Sequence, residues 1–102
     1  MIIIKRKGGF YMLQYRIIVN GRVQGVGFRY FVQMEADKRK LAGWVKNRDD
    51  GRVEILAEGP ENALQSFVEA VKNGSPFSKV TDISVTESRS LEGHHRFSIV
   101  YS

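Results

Sequence analysis

The stretch LQYRIIVNGRVQGVGFRYFVQMEADKRK, residues 13–40, changes its hydrophobic period once, and that change decides the fold. Leu13, Tyr15, Ile17 and Val19 alternate with Gln14, Arg16, Ile18 and Asn20, the period of a strand with one fully apolar face. Gly21, Gly25 and Gly27 then interrupt the chain. Beyond them Phe28, Phe31, Val32 and Ala36 recur at the spacing of an amphipathic helix, with Lys38, Arg39 and Lys40 at its end, where cations suit the helix dipole.

Outward from this unit the same two periods recur. Gly43 punctuates, and Trp44–Asn47 and Arg52–Glu58 read as two strands joined through Asp49-Asp50-Gly51, an Asp-Gly turn signal. Gly59-Pro60 opens a second helix with Leu64, Phe67, Val68 and Val71 as its apolar stripe, and Asn73-Gly74-Ser75-Pro76 ends it. Val80–Ser88 and Arg96–Tyr101 read as strands, the last with Phe97, Ile99 and Tyr101 on one face. The order β-α-β-β-α-β with right-handed crossovers predicts an α+β, ferredoxin-like βαββαβ sandwich: an antiparallel sheet, two helices on one face and an additional C-terminal strand.

The chain has 102 residues, 16 Lys+Arg against 11 Asp+Glu, and no cysteine. That length holds one core, and without thiols neither disulfides nor thiolate metal sites are available. No apolar run approaches the roughly 18 residues of a membrane span, so the expectation is a soluble, cytoplasmic protein. Residues 1–11 are expected to form a leader outside a domain at 12–102, with Met12 as the true start. Its Lys5-Arg6-Lys7-Gly8-Gly9 run is also what a translated purine-rich ribosome-binding sequence would encode. Without the leader the charge falls to 13 basic against 11 acidic residues, which argues against a surface built to attract a polyanion.

The densest chemical signal is Gly21-Arg22-Val23-Gln24-Gly25-Val26-Gly27-Phe28-Arg29, between the first strand and first helix. Glycines allow positive φ, so successive backbone N–H groups can face one concavity at a helix N-terminus and hold a phosphate-sized anion. Arg29 can add a bidentate clamp. The familiar phosphate loops do not match: Tyr30 stands where a dinucleotide fingerprint needs glycine, and no Gly-Lys-Ser/Thr follows. On the residues alone, a plain tight turn beside a solvated arginine remains open.

GRVQGVGFR at 21–29, with GWVKN at 43–47 and an Asp-Gly turn after it, strongly resembles the acylphosphatase family over Leu13–Tyr101. Glu58-Gly59-Pro60 and Gly74-Ser75-Pro76 match its punctuation as well. The resemblance implies a small hydrolase that uses no metal and no cofactor and converts an acyl phosphate into a carboxylate and inorganic phosphate. It places the catalytic roles on Arg29 and Asn47, and the phosphate-binding backbone amides on Gln24, Gly25, Val26, Gly27, Phe28 and Arg29. It further implies that an oxygen of the substrate phosphate takes the water's proton.

Chemistry makes the scarcity of acid–base groups intelligible. The leaving group is a carboxylate whose conjugate acid has a pKa of about 4, so no general acid is needed at neutral pH. Positioning and electrostatics then do most of the work, as in phosphoryl transfer generally. His94 and His95 are adjacent, point apart in extended chain and read as surface residues, while Asp49 and Asp50 read as turn residues. Phe28, Tyr30 and Trp44 read as core or pocket wall.

The alternative is a non-enzymatic ferredoxin-like module that binds nucleic acid or a small phosphorylated ligand. An RNA-recognition motif is approximated by Gly27-Phe28-Arg29-Tyr30-Phe31-Val32, but Arg29 stands where Gly or Ala belongs and the period is helical. The expected partner is therefore a small acyl phosphate, with phosphate as product, no nucleic acid, no membrane, and a monomeric chain.

Overall fold

The computed structural model describes residues 11–101. Seven elements follow in the order β1 (Met12–Arg22), α1 (Phe28–Lys38), β2 (Ala42–Asn47), β3 (Val53–Pro60), α2 (Glu61–Asn73), β4 (Lys79–Ser88) and β5 (Phe97–Val100). They form one five-stranded sheet in the order β4-β1-β3-β2-β5. The fold is the ferredoxin-like α+β sandwich expected from the sequence. Its four framework strands are antiparallel to their neighbours, whereas the additional strand β5 runs parallel to β2, so the complete sheet is mixed.

The period-2 residues of β1 do what their alternation demands. Leu13, Tyr15, Ile17 and Val19 are buried, joined by Val45 of β2 and by Val53, Ile55 and Ala57 of β3. Phe28, Val32 and Ala36 of α1 and Leu64, Phe67 and Val71 of α2 complete this core. The Phe67 ring meets Phe97 of β5 edge-on, with centroids 6.2 Å apart, so the C-terminal strand is packed into the same core as the helices. Truncating such a buried ring to alanine costs about 3–5 kcal/mol, which makes this contact a strong anchor for β5.

Strand β3 is central and is buried on both faces. On the face away from the helices it carries Glu54 and Glu58, the only buried carboxylates among the described residues. Glu54 pairs with Arg16 and Arg48. Glu58 accepts from Gln14 Nε2 at 2.8 Å and from the backbone N–H groups of Glu92 at 2.6 Å, Gly93 at 3.1 Å and His94 at 3.3 Å. One carboxylate thereby ties the loop that delivers the chain to β5 onto the middle of the sheet.

The expected leader, residues 1–11, falls outside the described residues except for Tyr11. The Tyr11 carbonyl accepts from the Glu61 N–H at 3.1 Å, and its ring lies 5.3 Å from the Arg89 guanidinium. No helix among the described residues is long and apolar enough to cross a membrane.

Candidate active site

The first strand ends at Arg22 and the first helix begins at Phe28, so Val23–Gly27 must reverse the chain in five residues. Gly25 and Gly27 make this possible with φ of 73° and 75°, in the left-handed region. No atom stands within 4 Å of where a Cβ would project at either residue, so glycine is needed for backbone conformation and the space beside it stays open. Gly27 caps α1 without a side-chain hydrogen bond, and no acidic residue occupies the first helical turn. Among the described residues, the amides from Gly25 to Tyr30 donate to no backbone carbonyl, whereas Phe31 N–H already bonds to Gly27. The positive end of α1 is thus left with free donors.

Arg29 is aimed by the far end of the chain. Its Nη1 donates to the Val100 carbonyl at 3.1 Å, and its guanidinium lies 4.7 Å from the centroid of the Tyr101 ring. Among the described residues no carboxylate forms an ion pair with it. One guanidinium donor is occupied, and the remaining fork and the full charge are left for a ligand.

Asn47 is the last residue of β2, and the parallel register that pairs Lys46 with Val100 brings β5 alongside it. A cavity of about 200 Å³ is lined by Val23, Gly25, Gly27, Phe28, Arg29, Tyr30, Asn47, Ile99 and Tyr101. The structure therefore brings Arg29, Asn47 and the glycine loop together, although Arg29 and Asn47 come from separate elements. Asn47 Oδ1 is buried and has no hydrogen-bond partner within the protein. A buried amide oxygen in that state costs about 1–3 kcal/mol, so it marks a place where a ligand or water would be bound.

Gln24 and Val26 belong to the same loop but are not among the cavity-lining residues; Gln24 faces the β2–β3 hairpin instead, its Nε2 donating at 2.9 Å to both the Arg48 and the Arg52 carbonyl. Of the aromatic residues, Phe28 is buried in the core and also borders the cavity, and Tyr30, 62 % exposed, stands at its rim. Trp44 is neither core nor wall: it lies half-buried with the cations of Arg16 and Lys46 5.9 and 5.3 Å from its ring. The two histidines lie outside the cavity lining, and His94 Nε2 is 2.9 Å from Glu92 Oε1.

A second, more open hollow of about 440 Å³ lies on the other side of Asn47 and is lined by Lys46, Arg48, Asp49, Asp50, Glu54 and Val100. Its charges largely satisfy one another. Asp50 holds the Arg48 and Arg52 guanidinium groups at 3.1 and 2.6 Å, and Glu54 holds Arg48 at 3.4 Å. Hydrogen bonds from Arg52, first its side chain and then its N–H, keep the Asp50 carboxyl far below the usual range. This ion-pair cluster stiffens the hairpin, and its arginines are already occupied.

Sequence reasoning missed three groups: the Gln24 side chain, the Val100 carbonyl and the Tyr101 ring. The continued alternation Phe97-Ile99-Tyr101 was a signal that Tyr101 shares a face with the core, but nothing in the sequence marks a main-chain carbonyl as the partner of a particular arginine.

Fold and site together define a small ferredoxin-like domain with free amides, an uncompensated guanidinium and an unpaired buried amide oxygen around one cavity. Its residues 15–99 match the model of the acylphosphatase family. It is 99 % identical over 91 residues to an acylphosphatase of Bacillus subtilis (strain 168), covering 89 % of this chain and 100 % of that one. The crystal structure of acylphosphatase from Bacillus subtilis superposes with a TM-score of 0.86 at 99 % identity, over 87 % of this chain and 99 % of that chain. An acylphosphatase structure from Coxiella burnetii does so with 0.84 at 31 % identity, over 88 % and 94 %. The chain belongs to the acylphosphatase family. Its activity is the hydrolysis of acyl phosphates to a carboxylate and inorganic phosphate.

Proposed function

We propose that this hydrolysis takes place in the cavity between Arg29 and Asn47, with each carrying a separate part of the catalysis. The phosphoryl group would lie against the backbone amides of Gln24–Arg29, at the positive end of α1, with the Arg29 guanidinium on its equatorial oxygens. The Asn47 side-chain amide would hold the attacking water: a water proton donated to Oδ1 leaves an oxygen lone pair free to face phosphorus. In-line attack then expels the carboxylate, and a phosphate oxygen of the bound substrate takes the remaining proton. The buried, unpaired Asn47 Oδ1 in the same cavity as Arg29 carries this reading.

Because the departing carboxylate is weakly basic, the reading requires neither a general acid nor a metal ion. We further propose that the enzyme acts as a cytoplasmic monomer on small acyl phosphates, without nucleic-acid or membrane partners, and that the working domain is residues 12–102.

The test is hydrolysis of benzoyl phosphate in excess chelator, with inorganic phosphate as competing inhibitor. Arg29→Ala should lose both turnover and phosphate inhibition; wild-type-like inhibition would remove Arg29 from phosphate binding. Asn47→Ala should keep phosphate inhibition and lose about 100-fold or more in kcat, as when one transition-state group is deleted. Nearly unchanged turnover would mean that another group holds the water.

A further inference from the structure

The side chain of Gln24 crosses from the glycine loop to the β2–β3 hairpin. Its Nε2 donates to the Arg48 carbonyl at 2.9 Å and to the Arg52 carbonyl at 2.9 Å. These carbonyls flank the turn at 49–51, across which the Arg48 N–H donates to the Arg52 carbonyl at 2.8 Å and the Gly51 N–H to the Arg48 carbonyl at 3.2 Å. Both hydrogens of one neutral amide are thereby committed to the two stems of one turn. A primary amide can offer that pair without a charge, and asparagine would fall a methylene short.

The contact matters because of its neighbours on each side. Gln24 is followed by Gly25, Val26 and Gly27, the turn that leads into α1, and Arg48 is preceded directly by Asn47. No other side-chain hydrogen bond among the described residues joins Val23–Gly27 to the hairpin. The two halves of the site, amides on one element and Asn47 on another, are registered to each other through this amide.

We propose that Gln24 is a positioning residue for the hydrolysis, setting the distance between the phosphate loop and Asn47 so that the water held by Asn47 lies in line with phosphorus. This rests on the assignment of Asn47 made above. It predicts a loss in turnover with little change in phosphate binding, since the loop amides and Arg29 remain while the water moves.

A double-mutant cycle between Gln24→Met and Asn47→Ala tests it, using benzoyl phosphate turnover and inhibition by inorganic phosphate. Gln24→Met keeps the length of the side chain and removes both donors. In the otherwise wild-type enzyme it should lower kcat by about tenfold or more, while the inhibition constant of phosphate moves by less than about threefold. In the Asn47→Ala background the same substitution should change kcat by less than about threefold, because the group it positions is already gone.

Equal tenfold losses in both backgrounds would overturn the proposal, as would an unchanged kcat in the wild-type background or a parallel loss of phosphate inhibition. Asn47→Ala measured alone separates the two claims. If it retains turnover, the Asn47 assignment fails and takes this one with it; if it is impaired and the cycle is additive, only the Gln24 proposal fails. Circular dichroism and thermal melting establish that each variant is folded. Should Gln24→Met not fold, Gln24→Glu, which presents acceptors to the same two carbonyls, is read through the same cycle.

Discussion

The guanidinium of Arg29 is held from behind, by the Val100 carbonyl on one nitrogen and the Tyr101 ring across its plane, so its remaining donors have a defined direction. A lysine would keep the charge but could neither hold the carbonyl and present a fork together nor stack as a plane on the ring. Arg29→Lys should therefore lower kcat/KM for benzoyl phosphate by about 10- to 150-fold, the range that about 1.5–3 kcal/mol of charge-assisted hydrogen bonding implies. Steady-state kinetics check this, and an Arg29→Lys enzyme within twofold of wild type would show that charge alone suffices. Asn47 poses the complementary case, a neutral group whose value lies in where its oxygen is buried and not in charge.

At the scale of the element, α1 combines a left-handed glycine at its N-cap with a first turn that carries no acid. A side chain at Gly27 would meet no atom within 4 Å, so the penalty of substitution is conformational. Placing an L-residue in that region costs about 1–2 kcal/mol, and Gly27→Ala should destabilise the fold by that amount in urea unfolding. The same change should weaken phosphate inhibition, since relaxing φ at Gly27 reorients the amides that follow it. A variant that loses stability and keeps its phosphate affinity would show that the cradle does not depend on this torsion. The hairpin is the partner element: with Asp50 joining Arg48 and Arg52 at its tip and Gln24 bridging its stems, it presents Asn47 from a stiff support.

For the whole molecule, Glu58 is the buried carboxylate that joins β1, β3 and the loop leading to β5. Burial pushes its carboxyl upward, but hydrogen bonds from the Glu92 N–H, the Gln14 side chain and the Gly93 and His94 N–H groups outweigh burial and hold it below its ordinary value of 4.5. Glu35 is shifted the same way, burial being outweighed by Arg39 and Lys38. A folded-state value below the unfolded one means stability that is fully present above about pH 4.5 and is lost as the pH falls through the folded value. Glu58→Gln should cost about 1–3 kcal/mol at pH 7, and the difference from wild type should shrink below pH 4. Urea unfolding at pH 7 and pH 3.5 checks both statements; a pH-independent difference would show that shape, not charge, matters at this position.

The strand-to-helix change of period at Gly21–Phe28, the turn at Asp50-Gly51 and the apolar stripes of both helices were determined by the sequence itself, because each depends on residues a few positions apart. The nine residues ending at Arg29 and the five ending at Asn47 were legible for the same reason. What only the tertiary structure decided lies between distant residues and ends on main-chain atoms. The Val100 carbonyl reaches Arg29 across 71 positions, and Glu58 takes three backbone N–H groups 34 to 36 positions away. The parallel pairing of β5 with β2 belongs there too, as does the bridge from Gln24 to two carbonyls 24 and 28 positions on. Every residue but proline carries the same N–H, and every residue the same carbonyl, so no side chain announces which of them the fold will bring to Arg29, Gln24 or Glu58.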